Sequence, residues 1–488
     1  MSIEMSSNAN NWLISPAIEV NGDLIIKMHL FVSGISILTQ DASLLLSISG
    51  SEIEDFTTTL FHQTFRGSFE DDFEIPLSGF EGQVVRIALR QHNNMGYSMM
   101  SLKSLSIEPA PPVFEKEIAA YSGNGGYYLI ASPIGTVNPE DVANMLENDF
   151  DLYYFDQAAS DGKEWINYKA QSYNLEPGQG YLYANSGEIM LTFTGEPYEC
   201  NGEIELTKTD GVEFEGWNLV GNPFGTPATP SKPFYRLNEE GGELNANTET
   251  SSVDAMEGIF VIATEDGEIM TFTTTEPPTI SDAKLALNLS QGRGVIDRAI
   301  VRFDQGTELP KFQLNPNNTK LYIPQGMKDY AIVNAEAQGE IPINFKAIEN
   351  GSYTISVNPE NLEMRYLHLI DNMTGADVDL LQTPSYTFEA KTTDYASRFK
   401  LVFATCEDAE GDSETFAFVS NGNIIITDGP STGSGSCILQ VVDVTGRILV
   451  SCKGDAINRV STNGMTEGVY VLRLINGNDV KTQKIVVR

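Results

Sequence analysis

Short runs rich in Val, Ile, Tyr, Phe and Thr recur along the chain between clusters of Gly, Asn, Asp and Pro, and helical periodicity is almost absent. Alternation with a period of two puts one side of a strand on a core and the other in water, so the pattern predicts a mostly β chain. One segment departs from it. Residues 138–148 carry Asn138 as a candidate N-cap, Pro139 at the first helical position, acids at Glu140 and Asp141, and Val142, Met145 and Leu146 on one face, which predicts a short helix.

Three spacers interrupt the strand pattern: EPAPP at 108–112, TTTEPP ending at Pro278, and EDAEGDS at 407–413. Paired prolines lack ladder donors and stiffen the chain before them, so they suit connections better than sheet interiors. The spacers cut four domains: 1–109, 113–278, 279–408 and 414–488. The expected class is all-β, with tandem β-sandwich or jelly-roll domains ending in a small Ig-like β-sandwich. Within the second domain, GYYLIASPIGT at 126–136 matches GWNLVGNPFGT at 216–226 in five of eleven positions, and GEIM, TFT and EP recur near the end of each half. This predicts an internal repeat with copies at 113–199 and 203–278, joined because one small sheet buries too little surface alone.

The 488 residues include 30 Lys and Arg against 67 Asp and Glu, a net charge of −37. Such a chain repels phosphate backbones and anionic lipid, which argues against nucleic acid as a partner and suits solubility outside the cell. No apolar run is long enough to span a bilayer as a helix, so no transmembrane segment is expected. The opening MSIEMSSNANN lacks the basic and apolar parts of a signal peptide, so the reading expects a processed or truncated chain. Cys200, Cys406, Cys437 and Cys452 show no metal-ligand spacing, and no metal site is expected. If 438–451 is a hairpin with a two-residue loop, Cys437 and Cys452 face each other and can bridge; sequence alone leaves the register open.

NWLISPAIEV at 11–20 and IPLSGFEGQVVRIALRQHNNMGYSMMSLKSLSI at 75–107 resemble the cleaved-adhesin, hemagglutinin-type jelly roll. That resemblance implies a strand with two adjacent aspartates that help hold a structural calcium, but Lys103 and Ser104 stand there, and an ammonium repels a hard cation. NGNIIIT at 421–427, LQVVDVTGRILVS at 439–451 and GVYVLRLINGNDVKTQKIVVR at 468–488 resemble the type A sorting domain of type IX secretion. The residues carrying it are Asp443, Thr445 and Gly446 at a turn, Gly468 and Tyr470 opening a strand, and Lys484 in the last one, with Asn476 and Gly477 closing a second hairpin. The resemblance implies export to the surface or surroundings and a secretion machinery as partner.

Catalytic motifs are absent from the pattern. The turn at 123–126 (GNGG) lacks the helix N-terminus of a phosphate cradle, and His29, His62, His92 and His368 lie far apart in sequence with no Ser or Cys elbow. Asp297, Arg298, Asp394 and Arg398 in the third domain read as ion pairs at strand edges. The best binding candidate is 152–174, where Trp165, Tyr168 and Tyr173 with Asp161, Lys163, Asn167 and Gln171 have the ring-plus-polar chemistry of a glycan platform. The plainer reading of those rings is core and cross-strand aromatics. The expected function is a non-enzymatic, cofactor-free exported adhesin for glycans or surface proteins; the alternative is the accessory region of a larger secreted protease or glycoside hydrolase.

Overall fold

The computed structural model describes residues 2–4, 10–33, 39–93, 99–121, 126–160, 162–238, 243–274, 282–292, 294–315, 317–406, 416–420, 422–427, 437–454, 457, 459–477 and 479–487. It divides into two compact units, 1–112 and 113–488, and the break falls at the EPAPP spacer.

The first unit is a sandwich of nine strands: β1 (Ser2–Glu4), β2 (Asn11–Ile14), β3 (Ile18–Glu19), β4 (Leu24–Ser33), β5 (Thr39–Ser47), β6 (Thr58–Arg66), β7 (Phe69–Pro76), β8 (Val84–His92) and β9 (Met99–Pro109). One sheet runs β1-β9-β4-β7 and the other β2-β8-β5-β6, with β3 beside β8. Alternation explains the core between them: Ile26, Met28, Leu30 and Val32 face Ala42, Leu44, Leu46, Val85, Ile87 and Leu89. Lys103 and Ser104 sit in β9 at a break in register, Ser104 opposite His29. The Lys103 ammonium lies 5.2 Å from the Phe31 ring centre.

The second unit opens with β10 (Val113–Ile118), β11 (Tyr127–Ala131), β12 (Phe150–Phe155), β13 (Trp165–Asn167), β14 (Gly180–Asn185) and β15 (Ile189–Thr194). These are followed by β16 (Glu203–Leu206), β17 (Trp217–Gly221), β18 (Thr229–Pro230), β19 (Phe234–Asn238), β20 (Glu243–Asn247), β21 (Gly258–Ile262) and β22 (Glu268–Thr273). The two sets follow one plan: β11-β14-β12-β13 with β10-β15, then β17-β21-β19-β20 with β16-β22-β18. Matching turns follow β11 and β17. Ser132 Oγ accepts from the Ile134 amide and Asn222 Oδ1 from the Phe224 amide, so Ser and Asn do one job at equivalent positions. The sheets meet where glycine leaves room: a Cβ on Gly180 would stand 2.8 Å from the Val220 carbonyl oxygen, and one on Gly221 2.7 Å from that of Gln179.

The expected helix at 138–148 does not form. Asn138 does cap, accepting from the Glu140 amide, but only a 3₁₀ turn follows at Pro139–Asp141. Asn144 and Asn148 take left-handed φ of 67° and 58°, which ends any helix, and Ala143 bridges to Thr192 instead. No α-helix is present among the described residues.

The third sandwich, residues 284–405, is an 11-stranded assembly around Leu285, Leu287, Val301, Ile343, Phe345, Leu369 and Phe403. Its ion pairs are buried rather than at exposed edges. Arg398 and Asp371 are 2% and 1% exposed and bond at 2.9 and 3.1 Å, with Asp394 at 3.4 Å. Asp297 accepts from Lys311 Nζ at 2.5 Å and from the Leu321 amide at 2.7 Å. Arg298 donates to Asn288 and Asn247 instead of pairing with a carboxylate. The terminal sandwich has one sheet of Ile448–Gly454, Cys437–Asp443, Gly468–Asn476 and Asp479–Val487, and a second of Ala417–Ser420, Asn423–Ile426 and Arg459–Ser461.

Candidate functional site

The outer face of the β2-β8-β5-β6 sheet gathers chemistry that the sequence scatters over 80 residues. The pleat that sends Ala42 and Leu44 inward turns Asp41 and Ser43 outward, and strand register aligns Trp12, Arg90, Ser43 and His62 in one row. The adjacent row holds His92, Asp41 and Thr64. Trp12 Nε1 and Arg90 Nε both donate to Asn10 Oδ1, at 3.1 and 2.8 Å, and the guanidinium lies 5.0 Å from the indole centre. Beside them Leu45, Phe56 and Ala88 form a small apolar cluster against Trp12 and Ile14.

Ser43 Oγ lies 2.9 Å from both His62 Nδ1 and His92 Nε2. A hydroxyl has one proton to donate, so it can serve both rings only if one imidazole nitrogen donates to it. Asn93, with a left-handed φ of 53°, donates to Asp41 at 2.6 Å. Burial pushes the Asp41 carboxyl up, but bonds from Thr64 and Asn93 and the charges of both histidines outweigh it, leaving it below its ordinary value. Burial and the Arg90 charge hold His92 below the usual imidazole value, against the pull of Asp41. His62 and His92 are therefore not isolated, as sequence distance implied; cross-strand pairing unites them.

The order Ser43, His92, Asp41 contains the side chains of a nucleophilic triad. The geometry departs from one: His92 Nδ1 is 4.0 Å from Asp41 Oδ2, beyond a hydrogen bond, and β5 is a central strand whose amides lie in ladders with β6 and β8. What the face offers is a ring, a guanidinium, imidazoles and amides on a rigid sheet.

The ring-rich segment 152–174 lies elsewhere, and its rings are packed rather than presented. Tyr168 is 9% exposed and Tyr173 stands among Tyr154, Tyr168 and Tyr181 at centroid distances of 4.9, 5.3 and 5.9 Å. Burial and the neighbouring tyrosines raise the Tyr173 phenol well above its ordinary value. Trp165 packs on Phe155 and Phe260, and Asn167 Oδ1 accepts from the Lys169 amide. Asp161 lies outside the described residues. Of the two readings of these rings, the structure favours core over platform: Tyr168 and Tyr173 pack in one apolar cluster and Trp165 in another.

In the terminal sandwich Asp443 Oδ1 accepts from the Thr445 amide, Thr445 Oγ1 and the Arg447 amide, at 2.9, 2.6 and 3.0 Å. Those bonds, the Thr445 hydroxyl first, hold its carboxyl at about 2. Gly446 has φ 86° and Gly477 φ 63°, as their turns require. Gly468 opens its strand without a positive φ, and a Cβ there would meet nothing. Tyr470 is buried and donates to the Thr466 carbonyl, while Lys484 is exposed opposite Val471. The thiols of Cys437 and Cys452 are free. The turn is longer than two residues and a bulge follows Val441, so Cys437 faces Gly454 and Cys452 faces Leu439, a diagonal offset instead of a direct pair.

Residues 420–488 match the secretion system C-terminal sorting domain. Residues 1–85 match the cleaved adhesin domain, a span that includes Trp12, Asp41, Ser43 and His62 of the outer face. No curated protein matches the chain. With an adhesin-type domain in front and a type IX sorting tail behind, the chain is a secreted or outer-surface protein, and the tail implies contact with the secretion machinery. Among the described residues no helix is long and apolar enough to cross a membrane.

Proposed function

We propose that this protein is a non-catalytic adhesin, working without a cofactor, that binds glycans or surface proteins through the outer face of β2-β8-β5-β6. The observation that carries the reading is the row Trp12, Arg90, Ser43, His62 on the domain that matches the adhesin family. A sugar's apolar face stacks on an indole while a guanidinium and amides hold its hydroxyls, and Trp and Arg are the residues on which binding energy concentrates. The halves 113–199 and 203–278 are, in the same reading, copies of one duplicated unit that space and stiffen the chain.

The test is a glycan and matrix-protein binding screen of the full chain with and without chelator. Trp12→Ala and Arg90→Gln are expected to weaken the best ligand by at least about tenfold, and chelator to change nothing. Arg90→Gln keeps the packing if Trp12→Ala does not. Ligand binding that survives both changes overturns the assignment of this face, and turnover of a bound glycan overturns the non-catalytic reading.

A further inference from the structure

A cavity of about 420 Å³ lies in the second unit where both copies of the duplicated domain meet the third sandwich. Tyr127 and Leu182 come from the first copy, Glu243 and Leu244 from the second, and Phe312 and Asn318 from the third sandwich. Its floor is fixed. The Phe312 ring stacks on Trp217 at 4.1 Å and its amide donates to Tyr235 Oη at 3.0 Å.

Two carboxylates line this space and differ in kind. Asp297 is fully used, accepting from Lys311 Nζ and from the Arg298 and Leu321 amides. Among the described residues Glu243 accepts one bond, from Asn318 Nδ2 at 2.6 Å, and no Lys or Arg reaches it within ion-pair distance. A half-buried carboxylate beside apolar walls is costly to ionise unless a cation joins it. Burial raises the Glu243 carboxyl to about 7; Asn318 and the more distant Lys311 pull it down, and Asp297 pushes it further up.

We propose that this cavity binds a small organic cation, a primary ammonium or guanidinium on an apolar stem, with Glu243 accepting its N–H and Leu182, Leu244 and Phe312 covering the stem. The volume falls in the range of small-molecule sites, about 300 to 1,000 Å³. A protein with net charge −37 also draws cations toward it. The site belongs to the second unit and goes beyond adhesion by the first, so either assignment can fail alone.

The experiment is titration calorimetry of the full chain with benzylamine, its neutral analogue benzyl alcohol, and Nα-acetyl-lysine amide to ask whether the cation can arrive on a peptide. At about pH 8 the amine is expected to bind at least about tenfold tighter than the alcohol, and to lose that margin in Glu243→Gln. Affinity should also fall from about pH 8 to about pH 6 as Glu243 gains a proton. That arm uses the unmodified chain, so it stands even if the variant misfolds. Equal binding of amine and alcohol, full affinity in Glu243→Gln, or no heat with benzylamine up to about 10 mM overturns the proposal.

Discussion

Replacing Asp371 by Asn tests whether the buried pair in the third sandwich is held by charge. Arg398 Nε and Nη2 donate to the two Asp371 oxygens, Nη1 donates to the Glu389 carbonyl, and the guanidinium lies 4.5 Å from the Phe388 ring centre. Asp371 also accepts from the Met373 amide and the Tyr386 hydroxyl. Asn keeps the shape but leaves a buried guanidinium facing a neutral amide, with Asp394 as its remaining carboxylate at 3.4 Å. Breaking such a pair costs about 3 to 5 kcal/mol, and Arg398→Met a similar amount. Removing both as Asp371→Leu/Arg398→Met leaves the Met373 amide, the Tyr386 hydroxyl and the Glu389 carbonyl short of partners, at about 1 to 3 kcal/mol for each that stays buried, but leaves no unpaired charge. The double variant should therefore lose clearly less than the sum of the two single losses. Because several sandwiches share the chain, the readout is urea-dependent hydrogen exchange in peptides from 364–371 and 399–405 rather than one global midpoint. Sodium chloride at about 1 M should change the effect little, since the pair is screened from solvent. Burial pushes Asp371 up, yet the bonds and charge of Arg398 with the Met373 amide hold it below its ordinary value. Its contribution is thus present above the unfolded carboxylate pKa and lost as pH falls through the depressed folded one. Single-variant losses below about 1 kcal/mol, or additive losses, refute the argument.

Three further outcomes are expected. Gly221→Ala drives a methyl into Ala131 and the Gln179 carbonyl at the joint between the β11-β14-β12-β13 and β17-β21-β19-β20 sheets, which should cost about 1 to 3 kcal/mol and lower the melting temperature of the second unit. Glu243 is raised from 4.5 to about 7, so its stabilising protonated form is fully present below the unfolded pKa and lost as pH rises through about 7. The full shift is worth at most about 3 kcal/mol, roughly halved for partial exposure, and Glu243→Gln should remove that loss in unfolding curves compared at about pH 4.5 and about pH 8. Deleting 420–488 should leave the protein inside the cell envelope, as read by surface proteolysis and by assay of the culture medium; unchanged export contradicts the sorting assignment.

Strand content was legible because alternation is a local property: Leu24–Ser33 buries every second side chain and reads so in sequence. Register was not legible. It is set by bulges and turn length, and the longer turn after Asp443 together with the bulge after Val441 moved Cys452 from Cys437 to Leu439. The longer turn contributes one residue of that slip and the bulge the other. The same limit hid the outer face, since Trp12, Ser43, His62 and Arg90 share a row only after four strands pair. The helix failed for a different reason. Asn138 and Pro139 are genuine start signals, but Asn144 and Asn148 accept left-handed geometry cheaply, and burying Val142 and Met145 against the sheet gains more than another turn. Aromatics misled as well: ring-plus-polar spacing does not separate a platform from a core, because both need rings near polar groups.

The placement of the few basic residues ties these points together. With 30 Lys and Arg in the chain, several stand where domains of the second unit meet. Arg302 joins Glu249, which follows β20, to Asp304 of the third sandwich at 2.7 to 2.9 Å, and Lys284 bonds Thr248 and Asp282 across the same joint. Arg459 of the terminal sandwich pairs with Asp377 of the third, beside Ile425 packed on Tyr366, Val402 and Ala404. Breaking a buried pair costs more than making an exposed one gains, so the joint held by Arg302 and Lys284 resists opening while its carboxylates stay ionised, and the more exposed Arg459–Asp377 pair adds less. A surplus of acids then does two things: it keeps the exposed surface soluble, and it gives the cations at these joints carboxylate partners. Glu243 stands on the other side of that balance, a half-buried acid with which no Lys or Arg among the described residues pairs, and for that reason its cavity is a place in the second unit where an outside cation has something to offer.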